Sequence, residues 1–537
     1  EHMSLVRNSI TIGGLTLVSR VLGLLRDMLM ARYVGAGLAS DAFLIAWRLP
    51  NLFRALFAEG AFAAVFVPLF NKKMTEAERE KAQTGLTAAR TFASQVLSVL
   101  FPFLVLFTGL MMLAAGPVVW AMTGGFPDGG PEKFALARHL TIITFPYLAL
   151  ISLVSLLGGI LNSLNRFWVN AAAPILLNIC MIIALIFFRG DSEVETAVTQ
   201  AIAVTVSGAL QLLWLMWACH RAGASLKLAW PRLTPDVKLM LALIAPAAIG
   251  QGAIQFNLLI STSLAARFLP EGSVSWLYYA DRLNQLPLGL IGIAIGTAIL
   301  PALSRQISGA DTKAASDTQN RAVELALFFA MPATAALIVS AIPIVHGIFE
   351  HGAFTAADTQ GTAAVLMAFS AGVPAYVLIK VLTPGFYARS DTKTPLRLAL
   401  WSMLVNLIGN LILIWPLAHI GVGVATAISA WVNVALLWFT LRKRGHIAVD
   451  ARLKQKAWRI VLAAALMGVA LFFGNEIIED QLGTGLLRRI AVLSVLVSVG
   501  GAVYALALLL FGAYRMQELK SLFRRRAASP AANVSES

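Results

Sequence analysis

The chain has 537 residues, of which 58% are hydrophobic and only 13% charged, with a formal net charge of +15. Soluble domains carry about 25% charged residues, so the composition excludes a soluble protein with a large core and, with it, a nucleic-acid reading of the positive charge. A mean hydropathy of +0.77 points instead to an all-α polytopic membrane protein.

A membrane span needs about 20 mostly apolar residues. That rule predicts about fourteen transmembrane helices, at 8–33, 37–70, 86–122, 134–163, 168–188, 196–219, 236–268, 273–304, 321–349, 359–387, 395–416, 418–441, 457–475 and 486–512. Arg20 and Arg26 interrupt the first stretch, which is not expected to be a cleaved signal, and Glu1 and His2 before Met3 read as a cloning scar. Loop charge alternates. Lys72, Lys73, Arg79 and Lys81 follow the second span, Arg166 the fourth, and further basic groups the sixth, eighth, tenth and twelfth. The other loops are neutral or acidic, as at Asp128, Glu132, Asp191 and Glu476. The positive-inside rule then places both termini in the cytoplasm. No outer loop is long enough for a folded domain.

An internal repeat is visible at an offset near 235 residues: Ala31-Arg32-Tyr33 with Gly37 against Ala266-Arg267-Phe268 with Gly272, and Val67-Pro68 against Leu300-Pro301. Six spans fit in that interval, so the copies share one orientation, as parallel transporter repeats do. The expected plan is two pseudo-symmetric six-helix lobes, 5–222 and 230–445, then two C-terminal helices at 455–512. A last part, 513–537, combines the basic amphipathic stretch from Tyr514 to Arg526, expected on anionic headgroups, with a disordered Ser529–Ser537 tail.

The chemistry concentrates between Ser19 and Phe62, where apolar spans carry Arg20, Arg26, Asp27, Asp41, Arg48, Arg54 and Glu59. A charge at bilayer depth costs roughly 2.5–3.5 kcal/mol on insertion scales, so such residues usually face a protein interior or a wet path. Arg20 and Asp27, like Asp41 and Arg48, are seven apart and return to nearly one helix face. Asp41 and Arg48 read equally as a pair that only holds helices together. Residues 20–59 hold five arginines against three acids, so positive charge is left over. Arg20, Arg26, Arg54 and Arg282 are expected to line a cavity, whereas Arg32 and Arg267, at span ends, are expected to snorkel. Guanidinium forks grip phosphate and carboxylate in two-point contacts, which suits an anionic headgroup better than a drug cation.

Weaker signals read as packing. Asn406 and Asn410 put two amides on one helix face; they are candidates for a monovalent cation but read first as a helix–helix hydrogen bond. Gly13-Gly14 and Gly158-Gly159 suggest close helix approach, and Trp168, Trp230 and Trp415 suggest interface anchors. Cys180, Cys219, His346 and His351 have no metal-ligand spacing, and no P-loop or nucleophile elbow is present.

Four segments carry a family resemblance: Ser19 to Asp27, Ser40 to Phe62, Ser273 to Leu283 and Pro384 to Pro395. Together they resemble the bacterial MurJ (MviN) family of lipid II flippases, in the multidrug/oligosaccharidyl-lipid/polysaccharide exporter superfamily. The resemblance implies alternating access through a cationic central cavity in the inner membrane, with the last two helices forming a lipid groove. It implies lipid II as cargo, membrane lipids and cell-wall synthesis machinery as partners, and no enzyme chemistry. It places function on Arg20, Arg26, Arg54 and Arg282 and on the acids Asp41 and Glu59; Ser19 and Arg48 are expected as further substrate contacts and Asp27 as a charge-pairing group. No cofactor is expected; the membrane potential is the expected drive, with H+ or Na+ coupling open because Asn406 and Asn410 stand where a carboxylate is described. An exporter of another lipid-linked oligosaccharide and a drug/cation antiporter are the rival readings. A membrane glycosyltransferase would need a larger outer loop.

Overall fold

The computed structural model describes residues 2–58, 61–80, 84–127 and 130–524. The expectations placed on Glu59, Lys81, Asp128, Arg525, Arg526 and the Ser529–Ser537 tail lie outside the described residues. Every regular element among the described residues is a helix, and there are twenty. With no water in hydrocarbon to satisfy the backbone, each apolar segment must close its hydrogen bonds within itself.

The first compact unit comprises Glu1–Tyr279, Phe349–Thr362 and Asn406–Val422. It is built from α1 (His2–Tyr33), α2 (Leu38–Ala58), α3 (Ala61–Glu80), α4 (Gly85–Leu113), α5 (Ala115–Thr123), α6 (Gly130–Ser163), α7 (Phe167–Phe187), α8 (Glu193–Arg221) and α9 (Pro235–Phe268), and from the start of α10 (Ser273–Ser308). At its centre is α6, packed on α2 and α8, with Phe145, Tyr147, Leu156 and Ile160 inaccessible. A Cβ on Gly158 would collide with Asn170 Oδ1, and one on Gly159 would meet Phe66 at 2.9 Å. This pair is therefore a packing device, as predicted. Gly13 and Gly14 have nothing within 4 Å of a Cβ, so the same expectation for them is corrected.

The second unit comprises Ala280–Ile348, Ala363–Val405 and Gly423–Ser537. The chain enters it along α10 and continues through α11 (Thr312–Val339), α12 (Ala341–Phe349), α13 (Ala356–Ser370), α14 (Val373–Leu382), α15 (Pro384–Tyr387), α16 (Lys393–Leu417), α17 (His419–Lys443), α18 (Ala451–Leu482), α19 (Leu486–Leu510) and α20 (Met516–Arg524). In this unit α18 packs on α11 and α19 through Ala463, Ala464, Met467, Leu496 and Leu508. Tyr504 of α19 fixes the seam by donating to the Phe328 carbonyl at 2.7 Å. The outward sides of α18 and α19 stay apolar, with Phe473 76% and Leu510 80% exposed, as bilayer-facing surfaces must be. The short α20 is held at its start: the Tyr514 hydroxyl donates to Glu324 at 2.8 Å, Lys456 meets Glu518 at 3.4 Å, and Leu519 is buried.

Ten segments among the described residues are long and apolar enough to cross a membrane: α4, α6, α7, α8, α11, α13 to α15 taken as one, α16, α17, α18 and α19. The other four predicted spans fall on α1, α2 with α3, α9 and α10, three of which hold the intramembrane charges. Fourteen is thus not reached on length and apolarity alone. Helix starts follow the sequence signals. Ser192, Thr234, Asp311 and Asp450 each accept an amide N–H three residues on, satisfying one of the orphan donors of a first turn.

Asp391 shows how the Pro384–Pro395 segment works. Its Oδ1 accepts the Thr394 N–H at 3.0 Å at the start of α16, and its Oδ2 takes Arg444 Nη1 at 2.7 Å. The Arg444 guanidinium holds the Asp391 carboxyl down to about 2. Because the folded value lies below the ordinary one of about 3.9, the pair's contribution is complete above that value and is lost as pH falls toward the folded one. Asp391→Asn keeps a capping side chain, so a small loss of thermal stability is expected at pH 7, disappearing near pH 2. Asp391→Ala should cost about 1 kcal/mol more through the cap. Unfolding midpoints of both variants across that range check this; an Asn variant equally weakened at both ends would contradict it.

Candidate functional site

Two helical turns before the end of α1, Arg26 and Asp27 are both buried, at 6% and 0% exposure. Arg26 Nε and Nη2 donate to Asp27 Oδ1 at 3.3 and 3.2 Å, and Nη1 donates to Asn178 Oδ1 of α7 at 2.8 Å. Nη2 also reaches the Tyr278 hydroxyl of α10 at 3.3 Å, and that hydroxyl donates to Asp27 Oδ1 at 2.8 Å. Asn178 Nδ2 closes the network by donating to the Ser19 carbonyl at 3.0 Å. Ser19, Arg26 and Asp27 therefore come together as a closed cluster. The expectation that Arg26 lines an open cavity is corrected for this structure: its three guanidinium nitrogens all have protein partners, and the adjacent carboxylate cancels its charge where an uncompensated ion would be costly. The spacing argument paired Asp27 with Arg20. Arg26 and Tyr278 hold it instead, because neighbours that are both buried need no helical periodicity to meet.

Arg20 is different. It is half-buried on the same helix and makes no hydrogen bond or ion pair with any described residue. On α2, Arg54 is half-buried and donates to Asn51 Oδ1 one turn earlier at 3.0 Å, and Arg48 is half-buried as well. Arg282 belongs to the second unit, half-buried on α10.

Asp41 is wholly buried, and its partners correct the expected pairing with Arg48. Its Oδ2 takes Lys133 Nζ at 2.8 Å and the Gly272 N–H at 2.8 Å, and its Oδ1 takes the Ser275 N–H at 3.0 Å and the Ser275 hydroxyl at 2.5 Å. One carboxylate thus neutralises the ammonium at the start of α6 and caps the N-terminus of α10, where a negative charge is favoured. Gly272 has φ +94, and a Cβ there would meet the Ala36 carbonyl oxygen at 3.0 Å; glycine lets the backbone turn its N–H onto the acid. Sequence reasoning missed Lys133, Asn178 and Tyr278 as functional positions. Lys133 did leave a signal: it is a cation directly after Glu132, in a stretch where charge alternation predicts neutral or acidic residues. Around the same ends, Trp276 Nε1 donates to Asp358 at 3.0 Å, and His419 meets the Gly361 carbonyl at 2.9 Å.

The amides at Asn406 and Asn410 behave as predicted from helix packing. Both are inaccessible, and their Nδ2 atoms donate across to Asn257 and Ser261 of α9. These amide bonds tie α16 to α9. No group of three or more His, Cys, Asp or Glu among the described residues could hold a metal ion. Arg267 caps the end of α5 by donating to the Ala121 carbonyl, and Arg32 is exposed, consistent with snorkelling for the latter.

The fold is that of a multispan all-helical membrane protein and is shared with an inward-facing multidrug MATE family transporter of the MOP superfamily, which superimposes with a TM-score of 0.64 at 15% identity, covering 81% of this chain and 98% of that one. A structure of lipid II flippase MurJ in an inward closed conformation superimposes better, with a TM-score of 0.76 at 25% identity over 96% of this chain and 99% of that one. The family model for lipid II flippase MurJ matches residues 30–493, and a probable lipid II flippase MurJ of Rhizobium tropici is 40% identical over 99% of both chains. The chain belongs to the lipid II flippase MurJ family.

Removing one partner from a buried ion pair strands the other, at a cost of about 3–5 kcal/mol. Lys133→Ala should therefore lower the unfolding midpoint strongly, and Asp41→Asn should do so too. Combining them should cost clearly less than the sum. A double-mutant cycle on purified protein measures the coupling; strictly additive losses would contradict the pair.

Proposed function

We infer that this protein is a lipid II flippase of the bacterial cytoplasmic membrane, moving the undecaprenyl-diphosphate-linked precursor from inner to outer leaflet by alternating access. The near-full-length match to flippases of this family carries the reading. No covalent bond changes, so the work is recognition and reorientation. The headgroup brings a diphosphate, and arginine is suited to it because its fork is planar, permanently charged and bidentate. Arg20 is the strongest candidate in the first unit, since it sits half-buried with no carboxylate among the described residues to satisfy it; Arg54 is a second. Within the second unit, Arg282 is the candidate. Both termini are placed in the cytoplasm by loop charge, and membrane lipids and the cell-wall synthesis machinery are the expected company.

Directionality follows from the membrane potential, which is worth about 2.3 kcal/mol per charge per 100 mV. An inside-negative potential drives an anionic headgroup outward and draws an emptied, cationic site back. Collapsing the potential with valinomycin and potassium should stop delivery of precursor to the outer leaflet, whereas collapsing only the pH gradient with nigericin should not. Delivery that fails under nigericin alone would point to proton coupling instead.

Arg20→Ala and Arg282→Ala should each abolish rescue of a flippase-depleted bacterium while the protein still inserts and folds. Arg20→Lys should rescue partially, since the charge remains without the fork. Full rescue by either alanine variant would remove that residue from the headgroup path, and transport of an unrelated lipid-linked oligosaccharide in preference to lipid II would favour the rival exporter reading.

A further inference from the structure

Away from the arginine-bearing helices, the first unit holds a cavity of about 600 Å³ at the start of α4, lined by that helix and by the segment that joins α8 to α9. Residues 224–234 have no regular secondary structure, yet they are pinned along α4. Arg90 Nε donates to the Ser225 carbonyl, the Lys227 N–H to Ser94 Oγ at 3.2 Å, the Ala229 N–H to Ser98 Oγ at 3.0 Å, and Thr234 Oγ1 to Gln95 Oε1 at 3.4 Å. Because alternate residues bond to α4, the segment is extended there, and Leu228 and Trp230 are left 58% and 85% exposed.

The lining is cationic and hydroxylic. Thr87, Thr91 and Ser94 run along α4, with Arg90 on that helix and Lys227 and Arg232 on the segment. No carboxylate lines the cavity among the described residues. The nearest acid in sequence, Asp236, is occupied by Lys73 at 2.8 Å. Lys227 and Arg232 are exposed and make no ion pair with a described residue. Loop charge puts this segment on the cytoplasmic side, where the leaflet is anionic and basic residues gain about 1 kcal/mol each near its surface. Tryptophan favours the headgroup level.

We propose that this cavity binds the phosphate of an anionic membrane phospholipid. Arg90, Lys227 and Arg232 take the phosphate charge, the Ser94 hydroxyl donates to one of its oxygens, and Trp230 with Leu228 rests on the glycerol and first acyl carbons. A phosphate ester and a free phosphate share this chemistry; the exposed Trp230 and Leu228 favour the lipid, since a free anion has no use for them.

The test uses the full chain in bilayers containing brominated phosphatidylglycerol or brominated phosphatidylcholine. The Trp230 component is isolated as the fluorescence difference between the protein and Trp230→Phe. Brominated phosphatidylglycerol should half-quench that component at a mole fraction at least threefold lower than brominated phosphatidylcholine. The Lys227→Gln/Arg232→Gln double variant, altered only at exposed side chains, should bring the two lipids together. Equal quenching in the unaltered protein, or a preference that survives in the double variant, would overturn the proposal. Loss of the preference on adding millimolar inorganic phosphate at constant ionic strength would assign the cavity to a free anion and overturn the lipid reading.

Discussion

The Asp41 carboxylate is the constraint on which the first unit depends. It is inaccessible, and a lone charge there would be expelled or protonated. Four donors from two other helices surround it, so its desolvation is offset by one ammonium, two backbone amides and a hydroxyl. The ends of α2, α6 and α10 are fixed by a single group that cannot move without stranding its partners. Cross-links at these ends, extended by Trp276 with Asp358 and by His419 with Gly361, explain why short segments around 349–362 and 406–422 cluster with the first 279 residues. Loss of this node would release several loops together rather than one helix.

The arginines then sort by what compensates them. Arg26 has a neighbouring acid, an amide and a phenol, and is sealed. Arg20, two helical turns earlier, has none of these among the described residues. Both stand on one helix in the same apolar run, so composition treats them alike. The difference is tertiary: α7 presents Asn178, and α10 presents Tyr278, at the level of Arg26. A guanidinium without a partner is the one able to exchange water for phosphate at low cost, because no protein bond must break first.

Much of this was legible in the chain. Apolar run length and loop charge give the helices, and the Ser19–Asp27 and Ser40–Phe62 segments point to the charged helices. Residue spacing failed at Asp41, because a seven-residue interval describes one helix face and says nothing of Lys133, 92 positions away. Asn178 was hidden in an uninterrupted apolar run, where one amide carries no signal until its partner is known. Gly158 and Gly159 versus Gly13 and Gly14 make the same point: identical dipeptides, one pair pressed against Asn170 and Phe66 and the other facing open space. Pattern gives the element; only neighbours give the role.

Charge compensation also bears on how a potential acts on such a protein. A field does work on net charge, and a closed Arg26–Asp27 pair crosses it as a dipole with almost none. Counting every intramembrane arginine would overstate the electrical drive. The charge that responds is the uncompensated part, represented in α1 by Arg20. Under the proposed function, a diphosphate bound at Arg20 would cancel or reverse that charge, and its release would restore it. The sign of the mobile charge would then change with loading, which is what the proposed cycle needs if one constant potential is to push the loaded form one way and the empty form the other.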